Sequence, residues 1–147
     1  MQQRNSQPTA AACIHGGEGY PGIFGKATLT PCKKGTLITV RLRGLPNTET
    51  DFFALHIHEG ADCRGQGFPN TGGHYDSRGR EHPVHAGDLP PLLSCGGEAY
   101  LSVLTERFCV SEVIGRTLVV HSQPDDFRTQ PSGNAGTRIA CGVIHQT

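Results

Sequence analysis

Apolar and polar positions alternate through most of this chain. Ile38, Val40 and Leu42 interleave with Thr39, Arg41 and Arg43, while Ala99, Leu101 and Val103 interleave with Glu98, Tyr100 and Ser102. A period of two sends successive side chains to opposite faces, so these segments read as strands with one face buried and Arg41 and Arg43 in water. Shorter segments of the same kind occur at 11–15, 22–30, 52–58, 89–94, 117–121 and 138–144. Gly16-Gly17, Lys33-Lys34-Gly35, Gly44-Leu45-Pro46 and Gly96-Gly97 mark turns between them. No helical period persists beyond two turns. The pattern predicts an all-β domain of eight short antiparallel strands, with long loops after the fourth and seventh, folded as a sandwich or flattened barrel.

The chain of 147 residues has room for one such domain with a real core, assigned here to 12–147, with 1–11 expected as a disordered N-terminal extension. It contains no internal repeat, low-complexity tract or linker. Formal net charge is zero, so no overall field points to nucleic acid or an anionic membrane as a partner. No apolar run has the length of a transmembrane helix. The stretch MQQRNSQPTAAA lacks the apolar centre of a signal peptide, so either the protein stays inside the cell or Met1 stands where an export signal was removed. Six cysteines in a small domain rich in Gly and Pro favour the second option and an oxidising, extracytoplasmic or secreted location. Their pairing stays open among fifteen possibilities, and no CxxC pair suggests a thiolate metal site.

Candidate chemistry resides in the histidines. Six of the eight form one ordered set: His56 and His58 in HIHEG, His74 in GGHYD, His82 and His85 in HPVHAGD, and His121 in VVHSQPDD. His56 and His58, two apart on a strand, share a face and can grip one ion from a rigid wall. His74, His82, His85 and Asp88 offer three imidazoles and a carboxylate, the number and type that close a tetrahedral zinc site. Seven ligands for two four-coordinate ions leave one imidazole to serve both, and His74 lies between the two groups in sequence. His15 and His145 stand outside the set and read as solvated loop or strand-end residues.

On HIHE, GGHYD, HAGDLP, IGRTLVVH, the QPDD after His121 and GNAGTRIACGVI, in that order, the chain resembles the copper, zinc superoxide dismutases from about Ala12 to Ile144. The resemblance implies a Greek-key order of the strands and dismutation of superoxide to dioxygen and hydrogen peroxide. It implies copper on His56, His58, His74 and His121, and zinc on His74, His82, His85 and Asp88, with His74 bridging. Arg138 matches the family's arginine beside copper. Asp125, first of the Asp pair after His121, would accept the remaining N–H groups of His56 and His82 and so fix their tautomers. A bridge between Cys63 and Cys141 is also implied, contributing roughly 4 to 5 kcal/mol on chain entropy alone.

Two loops depart from the better-known members. His82 and His85 are only three positions apart, and the short segment between His121 and Arg138 carries only Asp125, Asp126 and Arg128 as charges. Members with a longer loop hold further charges there that steer superoxide. Four cysteines lie outside the family pattern. If the strand after Cys32 runs antiparallel beside the strand before Cys95, the two turns share an end of the barrel and a Cys32–Cys95 bridge is expected. Cys13 would then pair with Cys109. The alternative function is a copper-binding or scavenging module on the same fold, which would lose Arg138 or the bridging histidine; both are present. A zinc hydrolase would need an open coordination position, and His74, His82, His85 and Asp88 fill the zinc site. Superoxide is the expected substrate of a monomer or homodimer.

Overall fold

A computed structural model describes residues 7–147. The expected strands are present, and the alternation explains their burial. In β1 (Ala10–Gly16) Ala10, Ala12 and Ile14 point inward, and in β3 (Gly35–Arg43) Ile38, Val40 and Leu42 do the same. β2 (Phe24–Cys32) lies between them, antiparallel to both. Two further short strands, β4 (Phe52–Phe53) and β5 (Leu55–His58), replace the single segment expected at 52–58. The segment expected at 89–94 is reduced to β6 (Leu92–Leu93), because Pro90 and Pro91 have no N–H to donate to a ladder. Among the described residues, β7 (Ala99–Thr105), β8 (Thr117–His121), β9 (Arg138–Val143) and β10 (His145–Gln146) complete the set, with one short α-helix, α1 (Val110–Val113).

The main antiparallel sheet runs β5-β8-β9-β1-β2-β3-β7, with β10 also on β1, and β4 pairs with β6 in a separate two-stranded sheet. The large sheet curls on itself. Leu29, Ile38, Val40, Leu55, Ile57, Leu118, Val120 and Ile139 fill its interior with no or almost no exposure. Each buried aliphatic side chain of this size contributes about 1.5–3 kcal/mol.

The long loops fall where expected, after β5 and after β8. The structured domain starts earlier than expected. Thr9 N–H donates to the Leu29 carbonyl and Thr147 N–H to the Thr9 carbonyl, so 9–11 belong to the sheet and not to an extension. Positions 1–6 of the expected extension lie outside the described residues.

The cysteines require two corrections. Cys63 and Cys141 form a disulfide 78 residues apart in sequence, but Cys13, Cys32, Cys95 and Cys109 are free and exposed. The Cys32–Cys95 expectation fails because β3 pairs with the strand after Cys95, not with the one before it. Thr36 faces Thr105 at one end of β3 and Leu42 faces Ala99 at the other, so the two turns lie at opposite ends. Roughly 20 Å of strand separates them, against a limit of about 7 Å between bridged Cα atoms. Cys13 sits within β1 opposite Lys26, whereas Cys109 caps α1 beside Thr9 and Pro31. Four residues of extended strand from Thr9 to Cys13, about 13 Å, keep that pair apart.

Candidate metal centre

The register of β5, β8 and β9 assembles the first group of histidines. His56 lies opposite Val119 and His58 opposite Thr117, and a bulge between Val120 and His121 brings His121 opposite Arg138. The loop after β5 folds back along that strand, bridging His58 with His74 and His56 with Asp88. Two clusters result, each with one ligand atom per residue and all of them within 4.8 Å of one another: His56, His58, His74 and His121, and His56, His74, His82 and Asp88. His56 and His74 belong to both. His85 stands beside the second cluster, its Nδ1 3.1 Å from Asp88 Oδ2.

Asp88 gathers the loop histidines. His74 Nδ1 is 2.7 Å from its Oδ1, while His82 Nδ1 is 3.1 Å from its Oδ2. The His85 N–H donates to the same Oδ2 at 2.9 Å. Burial pushes the Asp88 carboxyl up, but the three imidazoles around it bring it below its ordinary range. Behind the two clusters, Asp125 accepts from His56 Nε2 at 2.8 Å and from His82 Nε2 at 2.7 Å. Burial works against its charge, yet these two hydrogen bonds and one from the Phe127 N–H lower it to about 2.

Five buried imidazole nitrogens remain without any hydrogen-bond partner: His56 Nδ1, His74 Nε2, His82 Nδ1, His85 Nδ1 and His121 Nδ1. Stranding even one buried polar atom costs about 1–3 kcal/mol, so five in one place describe a site built for something else to bind. His58 Nδ1 donates to the Gly72 carbonyl at 2.8 Å, which leaves its Nε2 unprotonated and 3.2 Å from His121 Nε2. Burial lowers His58 to about 3 and His121 to about 2, so both are neutral imidazoles with lone pairs to offer. Four imidazoles around the first point suit copper, and three histidines with a carboxylate around the second suit zinc.

A small cavity of about 350 Å³ opens onto this centre, lined by His58, His74, His85, His121, Pro131 and Arg138 among others. Arg138 does not float in it. Its Nη1 donates to the Phe68 carbonyl at 2.9 Å and to Thr71 Oγ1 at 2.7 Å, and its Nη2 donates to the Gly72 carbonyl at 3.0 Å. The Cys63–Cys141 disulfide packs with Phe68 and Val119 beneath this segment.

Several supporting residues escape a reading of the sequence. The Gln130 side chain pairs with the His82 backbone, accepting its N–H at 3.0 Å and donating to its carbonyl at 2.7 Å, and so ties the two long loops together. Arg107 donates from Nη1 to the carbonyls of Pro83, His85 and Asp88. Gly133 has φ 74°, and a Cβ there would lie 2.1 Å from Asp125 Oδ1. Nothing but proximity in the fold marks Gln130 or Arg107, whereas a glycine close after an Asp pair is at least a visible signal.

Comparison with known proteins agrees with this geometry. Residues 23–144 match the family model described as copper/zinc superoxide dismutase. The chain is 38% identical over 138 residues to superoxide dismutase [Cu-Zn] 2 of Aquifex aeolicus, covering 83% of this chain and 79% of that protein. It is 34% identical to superoxide dismutase [Cu-Zn] of Deinococcus radiodurans over 160 residues, covering 94% and 85% respectively. Among solved structures, a SOD-like protein from Bacillus subtilis superposes with a TM-score of 0.75 at 27% identity, covering 90% of this chain and 95% of that one.

Proposed function

This chain belongs to the copper/zinc superoxide dismutase family, and we propose that its clustered histidines, Asp88, Asp125 and Arg138 share out the work of dismutation between two metal sites. His56, His58, His74 and His121 would hold copper; His74, His82, His85 and Asp88 would hold zinc. Copper there would supply a one-electron cycle, oxidising one superoxide to dioxygen and reducing a second to hydrogen peroxide, while zinc has no redox state to offer and would fix His74 in place. The observation that carries this division is His74 itself. Of the two histidines common to both clusters, His56 commits its Nε2 to Asp125, whereas the His74 ring presents Nδ1 toward Asp88 and a buried, partnerless Nε2 on the other side.

His74 Nε2 is the atom that takes up a proton between the two half-reactions and returns it to the departing peroxide. Asp125 holds His56 and His82 through their Nε2 atoms, so that each keeps Nδ1 free for a metal. Arg138 binds the incoming anion: its planar guanidinium is fixed by three acceptors and lies at the cavity beside His58 and His121. The disulfide supports an oxidising location outside the cytoplasm, where such a bond persists.

Metal-replete protein is expected to hold one copper and one zinc per chain. Cobalt substituted for zinc should feel copper through the His74 ring, seen as magnetic coupling that disappears on copper reduction. Anomalous scattering that finds a single site in metal-replete crystals, or two sites that share no ligand, would overturn this division.

A further inference from the structure

Thr71 is fully buried, yet it sits in a short turn, Pro69–Thr71, where nothing in the local backbone requires a hydroxyl. Its Oγ1–H donates to the Phe68 carbonyl at 3.0 Å. With that proton committed, a lone pair of Oγ1 is left to face Arg138 Nη1 at 2.7 Å. We infer that Thr71 is a positioning residue for dismutation, setting the rotation of the Arg138 guanidinium and hence the place where an anion meets copper. This rests on the reading above that Arg138 binds the substrate anion.

The mount is built from one five-residue segment. Phe68 takes a left-handed conformation, φ 54° and ψ 56°, uncommon for a bulky residue. That turn presents its carbonyl to Arg138 Nη1 and to the Thr71 hydroxyl together. The Phe68 ring is buried edge-on to His15 and packed against the disulfide, which holds the backbone in this state. At the far end, the Gly72 carbonyl accepts from both Arg138 Nη2 and His58 Nδ1, so the arginine and a copper-site histidine are referenced to the same atom. Without Oγ1, Nη1 would keep only the Phe68 carbonyl, and the guanidinium could pivot about its remaining contacts. A misplacement on the order of 1 Å at a reacting centre can cost up to about a hundredfold.

The test uses copper- and zinc-loaded protein and azide as the anion probe, titrated through the copper absorption spectrum, alongside superoxide decay. Thr71→Val and Thr71→Ala are expected to weaken azide binding roughly three- to tenfold and to lower the superoxide rate by a similar factor, with copper and zinc content unchanged. Thr71→Ser, which keeps the hydroxyl, should recover the affinity to within about twofold. In an Arg138→Ala background, Thr71→Val should have no further effect on azide, since the hydroxyl acts only through the guanidinium. Unchanged azide affinity in both Thr71→Val and Thr71→Ala would overturn the inference while leaving Arg138 in its role. An equal loss with and without Arg138 would reduce Thr71 to a structural residue. Azide binding indifferent to Arg138→Ala would remove the anion-binding reading itself, and the inference with it.

Discussion

The buried imidazoles decide the chemistry because their protonation is already decided by the fold. Desolvation holds His58 near 3 and His121 near 2, far below the free value of 6.5. In metal-free protein, the unfolded chain therefore binds protons below about pH 6.5 that the folded chain refuses. Stability is intact above that pH and is lost as pH falls from about 6.5 toward 3, by up to about 1.4 kcal/mol per pH unit for each such histidine. Urea midpoints of metal-free protein should fall steadily from pH 7.5 to 4.5; a flat profile would mean that these rings take up protons as readily in the fold as in the unfolded chain. Asp125 makes the complementary case. Asp125→Ala leaves His56 Nε2 and His82 Nε2 without their acceptor, and is expected to weaken metal binding about ten- to a hundredfold in chelator competition, as loss of such supporting hydrogen bonds commonly does. The metal-site histidines and Asp125 are legible in the sequence because each stands in a short motif. Thr71, Gln130 and Arg107 are not, since a hydroxyl, an amide and a guanidinium acquire their partners only when segments far apart in sequence meet.

At the scale of elements, the alternation of apolar and polar residues predicts the sheet well where a strand has one wet face, as in β3 and β7. It predicts poorly where loops cover the second face. All four residues of β5 are buried, and the Pro-rich run before Leu92 carries the right apolar composition but cannot pair along its length. Pairing order is the other blind spot: no local signal tells β3 to take the strand after Cys95 as its neighbour, which is why the Cys32–Cys95 expectation failed. The Cys63–Cys141 bridge behaves differently. It closes a loop of 78 residues and fastens the segment that carries Phe68, Thr71 and Gly72 onto β9. Replacing both cysteines with alanine should cost about 2–5 kcal/mol. For a domain of this size that is a fall in Tm on the order of 5–15 °C, measurable by calorimetry on metal-loaded protein. A variant as stable as the parent would mean that packing of Phe68 and Val119 alone secures the segment.

For the whole molecule, the charges at the entrance matter more than the net charge of zero. Among the described residues lining the cavity, Arg138 is the one permanent cation, and Arg64, elsewhere on the loop, is engaged by Asp62 at 3.0 Å. Attraction of superoxide should therefore weaken with salt only gently. Between roughly 0.01 and 0.3 M, where the Debye length shrinks from about 30 Å to below 10 Å, the rate should decline less steeply than in a long-loop member of the family measured alongside. An equally steep decline would place the guiding charges at Arg78 or Arg80.

The claim on which the rest depends is that this centre turns over and does not merely bind. Superoxide decay followed by pulse radiolysis, with superoxide in large excess over copper- and zinc-loaded protein, reads this directly. Catalysis predicts first-order decay proportional to enzyme, continuing through hundreds of equivalents and abolished when copper is removed. Decay that stops after about one equivalent per copper would show a scavenging site on the same fold, and would contradict the account.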